Sequence, residues 1–251
     1  MIVLKSPREI ALIRRAGQVV AAAERLCREL VKAGISTLEI DREVEGLIQQ
    51  MGARAAFKGY RGFPATICAS INEEVVHGIP AADRRLKEGD IIGLDLGAII
   101  EGYYADAAFT LAVGEIQPET QRLLDVTRES LDLAIAQARP GNRLGDISAA
   151  VQRHVEAAGY GVVRAFVGHG IGRALHEDPQ IPNFGEPGKG PVLREGMVLA
   201  IEPMVTMGHW AVRMLDDRWT AVTEDGSLAA HFEHTVAIMA SGPDVLTLEA
   251  A

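Results

Sequence analysis

Leu86-Lys-Glu-Gly-Asp-Ile-Ile-Gly-Leu-Asp95 and Leu193-Arg-Glu-Gly-Met-Val-Leu-Ala-Ile-Glu202 are two versions of one stretch, 107 residues apart. Each has a charged turn around a glycine, then an apolar run that ends in a carboxylate. In a strand that reads as buried, such a carboxylate is costly unless it is hydrogen-bonded, paired or bound to a cation. The offset extends beyond these two stretches. Gly34 and Gly141 match at the same spacing, each closing a long helical pattern. So do Val44 and Val151, Ile48 and Val155, and Gly52 and Gly159. The shared spacing predicts a diverged duplication of about 105–110 residues, too long a period for a solenoid. Two halves, about 1–115 and 116–251, then form one domain with a site between them.

The two halves share one order of elements. Ser6-Pro7-Arg8-Glu9 combines an N-cap, a proline in the first turn and an early acid, and predicts a helix to about Val31. A second helix runs from about Thr37 to Met51 and stops at Gly52. Strands are predicted near 65–70, 74–78, 91–100 and 103–113. The second half predicts helices near 118–138 and 143–158, then strands near 163–168, 197–206, 210–215, 218–223 and 231–239. Helices followed by strands, twice over, point to an α+β fold with a mainly antiparallel sheet.

Composition narrows the function. Apolar residues make up 48% and charged residues 24% of 251, ordinary values for a globular chain. A net charge of −9 gives no electrostatic attraction to nucleic acid or to an anionic membrane. No apolar run reaches the roughly 18 residues of a membrane span, and Met1-Ile-Val-Leu-Lys-Ser-Pro7 lacks the pattern of a secretion signal. Two cysteines, Cys27 and Cys68, do not make a disulfide framework, and the expectation is a cytoplasmic protein.

The chemistry is carried by a second pair of acids and by histidines. After Asp95 the chain turns at Glu101-Gly102 and returns through Asp106, so a hairpin brings the two carboxylates side by side. Glu202 has a returning partner in Glu233, within His231-Phe-Glu-His-Thr235. Carboxylates that close repel unless protonated or neutralised. Gly168-His169-Gly170-Ile-Gly172 precedes Glu202, and His176 follows His169 by seven residues. Four acids and one imidazole suit two divalent metals, with Mn, Fe, Co and Zn all compatible. Paired metals activate water and polarise a carbonyl. Each residue alone has a plainer reading: a solvent-facing acid on an alternating strand, or a structural loop histidine. The matched pattern in both halves favours the site. His154 reads as a surface residue of a helix, His209 and His231 flank turns or strands and carry little weight, and alternation turns His234 away from Glu233. Cys68 as a nucleophile with His77 is weaker than Cys68 as a small wall residue.

Asp95, Asp106, His169, Glu202 and Glu233 resemble, in order and spacing, the five metal ligands of the type I methionine aminopeptidases. Gly168-His-Gly-Ile-Gly172, Ile201-Glu-Pro-Met204, Phe232-Glu-His-Thr235 and Ser70-Ile-Asn-Glu-Glu-Val-Val-His77-Gly-Ile-Pro80 resemble that family's motifs. The resemblance runs from about Lys5 to Ala240 and implies the pseudo-twofold pita-bread fold. It implies excision of the N-terminal methionine from nascent chains and peptides whose next residue is small, by metal-activated water attack on the first peptide bond. Asp95 would hold one ion and His169 with Glu202 the other, with Asp106 and Glu233 between them. Glu202 would also shuttle protons, His77 would meet the scissile nitrogen and His176 the carbonyl oxygen. The methionine pocket would comprise Tyr60, Phe63, Cys68, His77 and Trp219. Phe57 and Phe63 are bulkier or less polar than that family's usual residues. Asn72 resembles a residue beside a monovalent cation. The implied protein is a monomer that meets the ribosome transiently. Two competitors remain: a proline-specific relative of the same fold, and a metal-free binding module.

Overall fold

The Glu9 amide donates to the Ser6 hydroxyl, and the Ser6 amide donates back to the Glu9 carboxylate. Two of the otherwise unpaired donors at a helix start are thereby satisfied, and α1 runs Pro7–Leu30. Ser36 and Glu39 repeat the reciprocal cap at α2, Thr37–Gln50. The computed structural model describes residues 1–249. After the two helices come β1 Arg54–Ala55, β2 Ile67–Ile71, β3 Glu74–Val76, β4 Ile91–Ile100 and β5 Tyr103–Ala112. The chain then returns to helices, α3 Pro118–Gln137 and α4 Leu144–Ala157. Short strands complete it: β6 Gly161–Val162, β7 Gly168–Gly170, β8 Glu177–Ile181, β9 Val198–Ile201 and β10 Met204–Thr206. They continue with β11 Val212–Met214, β12 Ala221–Thr223, β13 Ala229–His231, β14 His234–Met239 and β15 Gly242–Val245.

Among the described residues every strand pairing is antiparallel. β4 carries β5 on one edge and β1 and β2 on the other. A five-stranded sheet is ordered β15-β14-β9-β7-β8. α1 packs on β4 and β5, and α3 packs on α4 and beneath β9, β10, β13 and β15. The core between helices and sheets is dry and aliphatic, with Ile13, Ile40, Ile92, Leu94 and Leu96 fully enclosed. Two contacts recur at the 107-residue spacing. The Gly34 amide donates to Leu86 O at 2.8 Å, and the Gly141 amide to Leu193 O at 3.0 Å. Isolated bridges join Ser36 to Arg85 and Arg143 to Val192.

A seam joins the two sheet systems. The Glu233 amide donates to the Ala108 carbonyl at 2.8 Å. On either side of that bond a threonine hydroxyl replaces the missing backbone pair. Thr235 Oγ1 accepts the Asp106 amide at 3.1 Å and lies 2.8 Å from the Asp106 carbonyl oxygen. Thr110 Oγ1 does the same for His231, at 3.0 and 2.9 Å. β5 and the β13–β14 run are thus zipped antiparallel, 106 against 235, 108 against 233 and 110 against 231.

Three expected strands are corrected. The pattern over 197–206 is broken at Glu202-Pro203, and that over 231–239 at Phe232-Glu233. Pro203 has no amide for a ladder, and Glu233 spends its amide on β5 rather than on β9. The 163–168 stretch is not a strand; pairing occurs on either side, in β6 and β7. The Glu101-Gly102 hairpin stands as read, with φ of 50° and 81°. No helix among the described residues is long and apolar enough to cross a membrane.

Candidate metal centre

Asp95 lies on β4 and Asp106 on β5, but Gly97 is the residue opposite Asp106, and Ala108 is opposite Asp95. The expected side-by-side pair is therefore corrected to diagonal neighbours on one face. A Cβ on Gly97 would sit 2.9 Å from Ala56 Cβ and 3.1 Å from the Phe57 ring. Glycine there lets the Phe57 segment close over the two acids.

His169 is the middle residue of β7. A Cβ on Gly168 would lie 2.4 Å from the Ala200 carbonyl oxygen, and one on Gly170 2.1 Å from that of Asp178. Only hydrogen fits at either position, so β7 threads between β8 and β9 with one side chain, the imidazole, turned to the site. His169 Nδ1 is 3.0 Å from the Gly170 carbonyl oxygen. A carbonyl can only accept, so the proton is on Nδ1 and Nε2 presents a lone pair. That lone pair faces Asp106 Oδ2 and Glu202 Oε1, each 3.5 Å away. Asp106, His169 and Glu233 each bring a ligand atom within 4.8 Å of the other two. Asp95 is open to the cleft on one side, while its Oδ1 is sealed without any hydrogen-bond partner.

Burial and then mutual repulsion push the Asp95, Glu202 and Glu233 carboxyls well above the usual range. Burial raises Asp106 to about 6, against the opposing hydrogen bond from Thr235. His169 is driven down to about 4 by burial, so the ring is neutral. Among the described residues, the ion-pair partners within reach of these acids are histidines alone. Crowded oxygen donors, an orphaned carboxylate oxygen and an inward imidazole lone pair fit divalent cations.

The walls are aromatic. Tyr60 Oη is 2.9 Å from His176 Nδ1, and the two rings stack at 5.3 Å. The His176 ring is 4.2 Å from that of His169. Phe63 meets Trp219 edge-on at 5.1 Å, and His77 meets Trp219 and Phe166 edge-on at 6.4 and 5.4 Å. Burial lowers both His77 and His176 to about 4. Cys68, opposite Asp95 in the sheet, has its thiol pushed well up by burial and then by the Asp95 charge. It is a neutral wall atom rather than a thiolate.

A model of metallopeptidase family M24 matches residues 11–240. The methionine aminopeptidase of Clostridium acetobutylicum is 53% identical over 248 residues, 99% of each chain. The crystal structure of the Thermotoga maritima methionine aminopeptidase matches with a TM-score of 0.98 at 49% identity, covering 99% of this chain and 100% of that one. The chain belongs to the methionine aminopeptidases of metallopeptidase family M24. A prolidase from Pyrococcus furiosus has the same fold at a TM-score of 0.81 and 25% identity, and this chain covers 66% of it. The architecture is the pita-bread fold.

In this methionine aminopeptidase chain, the eleven ligand, catalytic and pocket residues named from sequence line one cleft of ≈ 680 Å³, its open mouth included, while Asn72 lies outside its lining. Phe57, Arg61 and Leu175 line it too; Arg61 and Leu175 carried no chemical signal of their own. Sequence reasoning also passed over His231. Its Nε2 is buried without a partner, 3.7 Å from Glu202 Oε2. The signal was available: two residues before Glu233, it shares that residue's face of an alternating strand. His234 points the other way, with Nδ1 2.9 Å from Thr247 Oγ1. His154 pairs with Glu129 at the surface. Asn72 is in the left-handed region at φ 57°. Its Oδ1 accepts the Ile91 amide, its Nδ2 donates to Asp90, and its carbonyl accepts the Ala229 amide.

Proposed function

We propose that this chain is one catalytic domain that removes the N-terminal methionine from nascent polypeptides and peptides in the cytoplasm, acting as a monomer with transient ribosome contact. The observation that carries the reading is the floor of the cleft: four carboxyls, Asp106 and Glu233 buried and Asp95 and Glu202 partly so, lining one cleft with the inward lone pair of His169. Above that floor, Tyr60, Phe63, Cys68, His77 and Trp219 offer the polarizable, apolar wall that suits a thioether.

Asp95 would hold one divalent ion, His169 and Glu202 another, and Asp106 and Glu233 would be shared. Asp106 suits a shared place because its charge bears on Asp95, Glu202 and Glu233 alike. Bound ions would supply a Lewis acid and lower the pKa of water. The remaining work belongs to side chains. Glu202 takes a proton from the attacking water and returns it to the departing amine. His176, steadied by Tyr60, donates toward the carbonyl oxygen as charge develops there. His77, fixed edge-on against Trp219 and Phe166, meets the scissile nitrogen. The products are free methionine and the shortened peptide. By resemblance the residue after methionine would be small, and Asn72 would help to hold a monovalent cation.

The test is metal-stripped protein titrated separately with Mn, Fe, Co and Zn, on Met-Ala-Ser beside an Xaa-Pro peptide. Free methionine from Met-Ala-Ser is expected with at least one metal. Cleavage of the Xaa-Pro peptide alone would replace the reading with a prolidase. Neither metal binding nor cleavage would leave a binding module. Peptides varied at the second position, and assays in potassium, sodium and choline salts, test the two finer points.

A further inference from the structure

We propose that His231 is a positioning residue for Glu202: its Nε2–H holds one oxygen of the Glu202 carboxylate and so dictates which oxygen faces the ligand cluster. The inference rests on the reading of Glu202 given above and extends it to a residue outside the ligand set.

The Glu202 carboxylate lies between two imidazoles, one for each oxygen. Oε1 is 3.5 Å from His169 Nε2, and Oε2 is 3.7 Å from His231 Nε2. The two rings are not equivalent. His169 donates its Nδ1–H to the Gly170 carbonyl and offers Oε1 the lone pair of Nε2. His231 Nε2 has no other hydrogen-bond partner and is shut off from solvent. With the proton on Nε2 it is the donor that Oε2 lacks, and a shift of under about 1 Å brings the pair to hydrogen-bond distance.

His231 is also well anchored. Thr110 Oγ1 accepts its amide at 3.0 Å and donates to its carbonyl at 2.9 Å. Two residues later the same strand path delivers Glu233. One clamped segment therefore aims a ligand and a positioning ring at one centre. Partners of this kind fix the rotamer and basicity of a ligand, and their loss costs about 10–100-fold in metal affinity or turnover. The alternative is that His231 fills space in the adjoining cavity beside Phe166 and Met204. A space-filling residue tolerates leucine and has no need of an N–H.

The experiment compares the full-length protein with H231Q and H231L. A glutamine amide N–H reaches about where Nε2 stands; leucine offers volume alone. Divalent-metal affinity is read by calorimetry on stripped protein, and kcat and KM on Met-Ala-Ser. H231L is expected to weaken metal binding or lower kcat by about 10–100-fold, with KM within about threefold and an unchanged melt in chelator. H231Q is expected to stay within about threefold of the parent in all three. H231L at parental affinity and kcat, H231Q falling as far as H231L, or a change in KM alone overturns the proposal. Should H231L not fold, H231N, too short to reach Glu202, replaces it. A parent protein that neither binds divalent metal nor releases methionine sinks the parent reading first, and is recognised without any variant.

Discussion

Thr235→Val tests the seam and the metal centre together. Thr235 is fully enclosed. Its hydroxyl accepts the Asp106 amide, serves the Asp106 carbonyl at 2.8 Å, and lies 3.0 Å from Asp106 Oδ1. Valine keeps the shape and replaces the oxygen with a methyl. The Asp106 N–H and C=O then face a dry seam with no partner. Each unmet buried group costs about 1–3 kcal/mol, so the pair costs about 2–6 kcal/mol. At this chain length each kcal/mol moves the melt by about 2–4 °C, which predicts a fall of about 4–24 °C. Thr235→Ser keeps the hydroxyl and loses one methyl, about 1 kcal/mol. The assay is calorimetric melting of both variants in chelator, then metal titration. Thr235 also lowers the Asp106 pKa, so Val should weaken metal binding near neutrality while Ser should not. Equal melts for Val and Ser, or unaltered metal affinity in the Val variant, would refute the reasoning.

Metal affinity should fall as pH drops toward and through about 6, because binding must displace protons from Asp95, Glu202 and Glu233, all held well above the usual carboxylate range, and from Asp106, raised from 3.8 to about 6. His169, neutral down to about 4, adds nothing in that window. The same shift gives Asp106 a contribution to metal-free stability that is full below the usual carboxylate range and is lost as pH rises through about 6. Calorimetry at several pH values in two buffers reads both affinity and proton release; a flat profile contradicts the assignment. His176→Ala should lower kcat about 10²–10³-fold with little change in KM; an effect on KM alone would make it a binding residue. Gly170→Ala puts a Cβ 2.1 Å from the Asp178 carbonyl oxygen and should cost more than about 3 kcal/mol; a parental melt in the variant would contradict this.

The helices were legible because their signals are local: Ser6 and Glu9 cap α1, Ser36 and Glu39 cap α2, and apolar spacing does the rest. The β4–β5 hairpin was legible from its long apolar runs and the Glu101-Gly102 turn. Its register was not, because alternation places Asp95 and Asp106 on one face without saying which residue is opposite which. The breaks at Glu202 and Glu233 were hidden for a related reason. The apolar pattern continues through both, while the backbone leaves its ladder to reach a partner far away in sequence. β8 was missed because Glu177-Asp-Pro179 reads as a loop, although it pairs with β7. Asp95, Asp106 and Glu202 stood out because each is a charge in an apolar run, and Glu233 and His169 through their matched places around Glu202. His231 stood out less: its place two residues before Glu233 hints at a shared face, but the orphaned ring nitrogen shows only once Glu202 is beside it.

The narrowness of β7 has a consequence for recognising relatives. In Gly168-His169-Gly170, the two glycines answer to the carbonyls of Ala200 and Asp178, and only the histidine, as a proposed ligand, answers to the reaction. A descendant that had lost its activity would be free to change the histidine and still be compelled to keep the glycines. Those two letters therefore travel with the sheet, and the letter between them travels with the enzyme. A search that scores the whole tripeptide gives two-thirds of its weight to architecture. Sorting active from silent relatives depends on reading the middle position alone.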